Sequence, residues 1–489
     1  MRLAALLLAS TIGLAACAPR LPPDLQAGDA LSSTLAPLLA PLEATGARWG
    51  ILVTDTANHT LYAHNATQRF IPASNTKLFT TAAALAARAI LESNASTAGT
   101  RLYLIPHRGK SPDLVLLGAA DPALSDSSEC LEHCLVTLAS AVSAAGIRSV
   151  HKVIGDDTLF PDIRWGEGWS WNNLASPYGT AVSALTLDNN IGTLTLSPAL
   201  KAGLPARLTE ISPPYRFANR VETTATGPAS VRMALMPGQE TGTLNGTFPR
   251  DASPMRVSFG LVDPALTAAE HLRARLETLG IHTAHVMARH RAADETRFEL
   301  PARALLLAQH PQMSLGNDIR VILKDSQNLH AELLLRRLGL IAGDGSVEAG
   351  QRERMALLAQ SGVIFNRLTL ADGSGMSSYN RVTPRDIVSL LLWADRQPWG
   401  KEWEEDLPLA GEDGTLAKRF QGTMVAGHFH AKTGTLNGTH ALSGVLTAAS
   451  GRKLMVSILL NDVPEDLPAT SPQATEAMDR IVERVAAMN

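Results

Sequence analysis

A serine stands three residues before a lysine at Ser74 and Lys77, within Ile71-Pro72-Ala73-Ser74-Asn75-Thr76-Lys77-Leu78-Phe79-Thr80. An alcohol is a poor nucleophile until a base takes its proton, and an amine kept neutral by its surroundings can be that base. Pro72 suits a first helical turn and the apolar run from Leu78 to Ala86 continues it, so a spacing of three puts Lys77 on the face of Ser74. The unpaired N–H groups of that turn then face an oxyanion forming at the attacked carbonyl. Taken alone, the pair more readily describes a capped surface helix.

Two later stretches change that reading: Ser326-Gln327-Asn328 and Lys432-Thr433-Gly434-Thr435. In acyl transfer Ser326 offers a hydroxyl that relays a proton between Lys77 and the leaving amine, and Asn328 offers an amide to the substrate backbone. Lys432 places a cation in the cleft, drawing in a substrate carboxylate and holding Lys77 neutral. Thr433 gives that carboxylate a hydroxyl. Gly434 lets substrate lie against the strand edge, and the N–H of Thr435 completes an oxyanion hole with that of Ser74. The predicted catalytic residues are therefore Ser74, Lys77, Ser326 and Lys432, with Asn328, Thr433, Gly434 and Thr435 binding substrate. The heptapeptide Thr433 to Thr439 recurs at Thr241 to Thr247, but there Glu240 stands in place of the lysine. Without the cation that copy cannot do the same work, and it reads as a strand-turn-strand coincidence with Asn-Gly as the turn in both places.

Several elements must position these groups. Helical periodicity covers residues 31–42, 130–145, 265–279, 315–324, 329–340, 347–361 and 384–394, and Ser471-Pro472 opens a closing helix. A hairpin is predicted over 50–55 and 60–63, strands over 102–105, 113–117, 149–154 and 285–287, and a second hairpin over 184–187 and 192–196 around Asp188-Asn189-Asn190. Residues 197–250, rich in Pro, Gly and Thr, read as a small all-β module. The chain ends in an antiparallel meander through 428–432, 441–447 and 453–460. At 489 residues the chain exceeds what one core organises. Helices and strands at both ends, with a differently textured middle, imply one α/β (α+β) domain interrupted by a long insertion.

The N-terminus runs apolar from Leu3 to Ala16, too short for a lasting bilayer span and shaped like a secretory signal. Its end, Leu14-Ala15-Ala16-Cys17, resembles a bacterial lipobox: residues 1–16 are removed and Cys17 carries the lipid. The alternative is an ordinary signal cut close by, and both readings export the protein. Residues 17–30 form a Pro-rich tether. The expected location is the periplasm, lipid-anchored to the outer membrane, or else soluble in the periplasm. Cys130 and Cys134 form a local disulfide or remain free thiols. With a net charge of −3 and no basic cluster, nucleic acid is excluded as a partner. His428 and His430 share a strand face without a third ligand nearby, so no metal is expected, and no nucleotide loop or other cofactor motif is present.

Ser-x-x-Lys, Ser-x-Asn and Lys-Thr-Gly, in that order, resemble the active-site elements of penicillin-binding proteins and class A β-lactamases. With Leu117 to Leu124, the tryptophan loop at Gly168-Trp169 and Ala371-Asp372-Gly373-Ser374-Gly375-Met376-Ser377, the chain resembles a class C low-molecular-mass penicillin-binding protein, a D-alanyl-D-alanine carboxypeptidase/endopeptidase. The resemblance implies a penicilloyl-serine-transferase (serine β-lactamase-like) domain over 31–97 and 300–489, an inserted domain over 98–196 and 251–299, and a third, small β domain over 197–250 within it. It implies peptidoglycan stem peptides and crosslinks as substrates, β-lactam antibiotics as acylating partners, and Ser74 as the acylated residue. Gln327 departs from the aspartate most common there. A β-lactamase, or a non-catalytic cell-wall binder or β-lactam sensor, is the alternative.

Overall fold

The computed structural model describes residues 29–93, 99–464 and 473–489. The signal segment, Cys17, nearly all of the tether and Ser471-Pro472 lie outside them.

Helix α1 (Asp29–Glu43) buries Leu31, Leu35, Leu39 and Leu42, a helical repeat along one face. Strands β1 (Arg48–Asp55) and β2 (Thr60–His64) form the predicted hairpin, and α2 (Thr76–Ala86) and α3 (Arg88–Ser93) follow. The chain then leaves for β3 (Arg101–His107), β4 (Lys110–Leu117), α4 (Leu135–Ala144) and β5 (Ser149–Asp156). Six strands come next: β6 (Ile191–Ser197), β7 (Arg207–Thr209), β8 (Arg216–Thr224), β9 (Ser230–Leu235), β10 (Thr241–Pro249) and β11 (Met255–Gly260). Helix α5 (Pro264–Thr278), β12 (His282–Arg289) and β13 (Leu305–Gln309) lead to five helices, α6 (Leu315–Lys324), α7 (Asn328–Gly339), α8 (Val347–Leu357), α9 (Pro384–Asp395) and α10 (Gly400–Glu405). Strands β14 (Phe429–Leu436), β15 (Thr439–Thr447) and β16 (Lys453–Asn461) and helix α11 (Ala474–Met488) close the chain.

Strands from both chain ends share one antiparallel sheet, ordered β14-β15-β16-β1-β2. Its strands are apolar on both faces because both are covered. Leu52, Met455 and Leu459 pack with α2 and the α6 to α9 region, while Ile51, Val53 and Ile458 pack with α1 and α11. This is the α/β class predicted, an antiparallel sheet flanked by helices. A second sheet, β12-β5-β4-β3-β13, carries α4 and α5. Two three-stranded sheets, β8-β10-β9 and β11-β6-β7, share a further core through Leu194, Val221, Leu244 and Phe259.

Five expectations are corrected. Asp188-Asn189-Asn190 does not close a hairpin: all three have positive φ, and Asp188 accepts from Ser125 Oγ and the Asp126 N–H, while Asn190 donates to Ala181 O. Residues 184–187 form no strand, Leu185 making only an isolated bridge to Asp121, and the chain passes from the turn into β6, which pairs with β11. The helix predicted from residue 130 starts at Leu135, because Cys130 and Cys134 form a disulfide and His133 has a φ of +44°. Residues 305–309, expected within the first body, pair with β3 of the second sheet, so the chain returns after Gln309 rather than at 300. The small β body reaches beyond 197–250, since β6 and β11 supply part of its core.

The fifth concerns the repeated heptapeptide. Asn437-Gly438 is a turn between β14 and β15, but Asn245-Gly246 lies inside β10, the central strand of its sheet. Gly246 has a φ of +126°, and a Cβ there would fall 1.8 Å from the Ser230 carbonyl oxygen. Gly438, at φ +63°, has its nearest neighbour at 3.0 Å. Gly246→Ala is expected to destabilise by about 2 kcal/mol or more, and Gly438→Ala by about 1 kcal/mol. Urea-unfolding midpoints of the two variants check the order.

Candidate active site

Ser74 sits in a single 3₁₀ turn, Ala73–Asn75, that leads directly into α2. Its side chain caps no backbone N–H, which removes the structural alternative raised by the sequence. Asn75 Nδ2 donates to Lys432 O (2.9 Å), fastening the turn to β14. Gly375 lies against it so closely that a Cβ would be 1.9 Å from Ala73 O. Gly434 is also close, though less so: its Cβ would be 3.0 Å from both Pro72 O and Ser74 N. Its smallness lets β14 approach the serine turn, in addition to the role expected of it toward substrate.

Lys77 is fully buried and its Nζ lies 3.0 Å from Ser74 Oγ. It also donates to Asn328 Oδ1 and to the Ser374 carbonyl, both at 2.6 Å. Those two groups can only accept, so they take both N–H bonds of a neutral amine and leave its lone pair facing the serine hydroxyl. Burial pushes the Lys77 amine down to about 7, against the opposing charges of Asp372 and Glu332.

Lys432 is buried as well, with Nζ donating to Thr433 O (3.1 Å). Burial first, and the charge of Lys77 second, lower its proton affinity, while Asp325 raises it. The sequence expectation that Lys432 holds Lys77 neutral is therefore revised: desolvation is the main cause at Lys77. Thr433 Oγ1 shares a hydrogen bond with Thr415 Oγ1 (2.7 Å). Both halves of the Asn328 amide have protein partners, Lys77 at Oδ1 and the Tyr178 carbonyl at Nδ2 (2.9 Å), so its predicted contact with substrate requires one of these to yield.

Ser74, Ser326, Asn328, Thr433, Gly434 and Thr435 line one cleft of about 690 Å³, with Lys77 and Lys432 beneath its floor. Ser326 is held at a φ of +59° just ahead of α7. Gln327, the departure from the resembling family, accepts from Leu329 N and so caps that helix. The structure thus brings all eight predicted residues together. It adds three contributors that the sequence did not single out: the Ser374 carbonyl, Thr415 and Glu332. The Ala371 to Ser377 stretch stands out in the sequence as a mark of the family resemblance, which does not single out the Ser374 carbonyl. Glu332 left a usable signal, since an acid followed by Leu333, Leu334 and Leu335, one turn after Asn328, demands a buried partner.

Comparison with known proteins points to one family. The family described as D-Ala-D-Ala carboxypeptidase 3 (S13) matches residues 31–485. A D-alanyl-D-alanine carboxypeptidase of Actinomadura sp. (strain R39) is 34% identical over 440 residues, 85% of this chain and 78% of that one. D-alanyl-D-alanine carboxypeptidase DacB of Haemophilus influenzae is 25% identical over 418 residues, 83% of each. Among solved structures, penicillin binding protein 4 of H. influenzae gives a TM-score of 0.76 at 23% identity, covering 92% of this chain and 98% of that one. Complexed with a β-lactam, the same protein gives 0.69 at 20% identity.

Proposed function

The chain belongs to the D-Ala-D-Ala carboxypeptidase 3 (S13) family, the class C low-molecular-mass penicillin-binding proteins, and from that premise we propose a serine DD-peptidase working through an acyl-enzyme on Ser74. It is a D-Ala-D-Ala carboxypeptidase acting on peptidoglycan. The observation that carries the proposed chemistry is the Lys77 amine, buried and committed by both N–H bonds to acceptors, 3.0 Å from Ser74 Oγ.

Ser74 Oγ attacks the carbonyl of the penultimate D-Ala as its proton passes to Lys77 Nζ. The N–H groups of Ser74 and Thr435 hold the oxyanion. As the C–N bond breaks, the proton on Lys77 reaches the leaving amine by way of Ser326, and D-Ala departs. Water then cleaves the serine ester and regenerates the hydroxyl. Lys432 and Thr433 receive the terminal carboxylate, whose charge restores the proton that burial disfavours on Lys432. A crosslink offers the same D-Ala amide with a diamino acid as leaving group, so endopeptidase action follows from the same steps. A β-lactam acylates Ser74 but keeps its leaving amine tethered, which blocks water. Catalysis is assigned to the body built from the two chain ends. The lipobox reading places the protein in the periplasm, held to the outer membrane through Cys17, with a soluble periplasmic protein as the alternative. No helix of the described residues is long and apolar enough to cross a membrane.

Digestion of muropeptides containing both pentapeptide monomers and D-Ala crosslinked dimers tests the reading. Release of D-Ala from monomers, together with conversion of dimers to monomers, is the expected result. Cleavage of neither, with rapid turnover of penicillin, would instead identify a β-lactamase. Binding without either reaction would identify a cell-wall binder or sensor.

A further inference from the structure

We propose that Glu332, which reaches no part of the cleft, is a positioning residue for the reaction, fixing both where Lys77 sits and the charge it meets. The inference rests on Lys77 being the base for Ser74.

Asn328, Glu332 and Arg336 fall at successive i, i+4 positions on one face of α7. Asn328 holds one N–H of Lys77. One turn further, Glu332 is fully buried, and its Oε1 accepts from the N–H groups of both Gly373 and Ser374 at 2.9 Å. Two successive amides on one oxygen orient the 373–374 segment, and its Ser374 carbonyl meets Lys77 Nζ at 2.6 Å. Thr80 Oγ1, one turn after Lys77 on α2, donates to Gly373 O (2.8 Å) and closes the frame. Arg336 donates to Glu332 Oε2 (3.2 Å). The two amides and the Arg336 guanidinium are all donors to this carboxyl, which suits its ionised form. Burial and the charge of Asp372 push the Glu332 carboxyl up, and Arg336 and the side chain and N–H of Ser374 oppose them.

The groups facing Lys77 are Glu332 from α7, Asp372 from the 371–377 loop and Lys432 from β14. Arg336, and Arg354 of α8, stand behind the two acids. Burial alone drives the amine toward a weak base, and the carboxylates of Glu332 and Asp372 work against it to leave a value near 7. A base is most effective when its affinity for the proton matches the working pH. Glu332 touches neither Ser74 nor substrate, and its charge acts on Ser74 through Lys77.

Glu332→Gln keeps the shape and an acceptor for both amides while removing the charge. In the pH dependence of kcat/KM for D-Ala release, the acid limb is expected to move down by about one pH unit, with kcat lower by about tenfold and KM unchanged. Because Arg336 would lose its counter-charge, Glu332→Gln/Arg336→Gln serves as the second variant and is expected to move the limb the same way. A merely structural role would lower the melting temperature and leave the limb in place. A folded variant with an unmoved limb and kcat within about twofold overturns the proposal. Lys77→Met, run in parallel, separates the two levels of the argument. If the acid limb survives in its residual activity, the Lys77 reading itself fails; if the limb vanishes there but Glu332→Gln leaves it unmoved, only the role of Glu332 fails.

Discussion

Ser74→Ala is expected to lower kcat/KM for D-Ala release from a D-Ala-D-Ala peptide by about 10⁴-fold or more. The change deletes the hydroxyl on which the proposed acyl bond forms, and little else. Ser74 Oγ contacts Lys77 and caps no helix, while the turn itself is held by Asn75 on the Lys432 carbonyl and by the close approach of Gly375. The variant should therefore melt as the parent does. A steady-state assay of released D-Ala, with thermal melts alongside, checks both halves. Retained activity in a folded variant would remove Ser74 from the mechanism.

Lys77→Met is expected to cost about 10³-fold in kcat, since it removes the proton acceptor but keeps the buried volume. The same residue sets the pH dependence. Its amine is brought from 10.5 to about 7 by burial, and only the neutral form can take the serine proton. Activity should therefore be full above about pH 7 and fall with each unit below it. Stability moves with the same group. Between about 7 and 10.5 the unfolded chain keeps a proton that the folded chain has released, so this residue makes stability rise with pH across that window. Urea unfolding at several pH values should show part of that slope in the parent and lose it in Lys77→Met.

Local chemistry made much of this molecule legible in advance. Helix α6 occupies the very residues, 315–324, that its apolar spacing marks, and the four leucines of α1 carry the same signal. The spacing of Ser74 and Lys77 predicts their contact because one helical turn alone enforces it. Where the reading failed, distant partners decided the backbone. Asp188-Asn189-Asn190 carries strong turn residues, yet Ser125 and Ala181 dictate which turn it makes. Asn-Gly at 245–246 is drawn into a strand because β8 and β9 pair on either side of it, whereas the identical pair at 437–438 has no such neighbours on both sides. The support beneath Lys77 escaped notice for a related reason. Ser374 contributes a backbone carbonyl, which no side-chain motif encodes, and Glu332 finds its amides 41 and 42 residues away.

The most direct test is the mass of the purified protein after incubation with a penicillin, followed by peptide mapping of the adduct. A single penicilloyl group on the peptide containing Ser74, persisting for minutes and absent from Ser74→Ala, is the expected result. An adduct on another residue, or none at any concentration in a folded protein, would contradict a serine acyl-enzyme at this site.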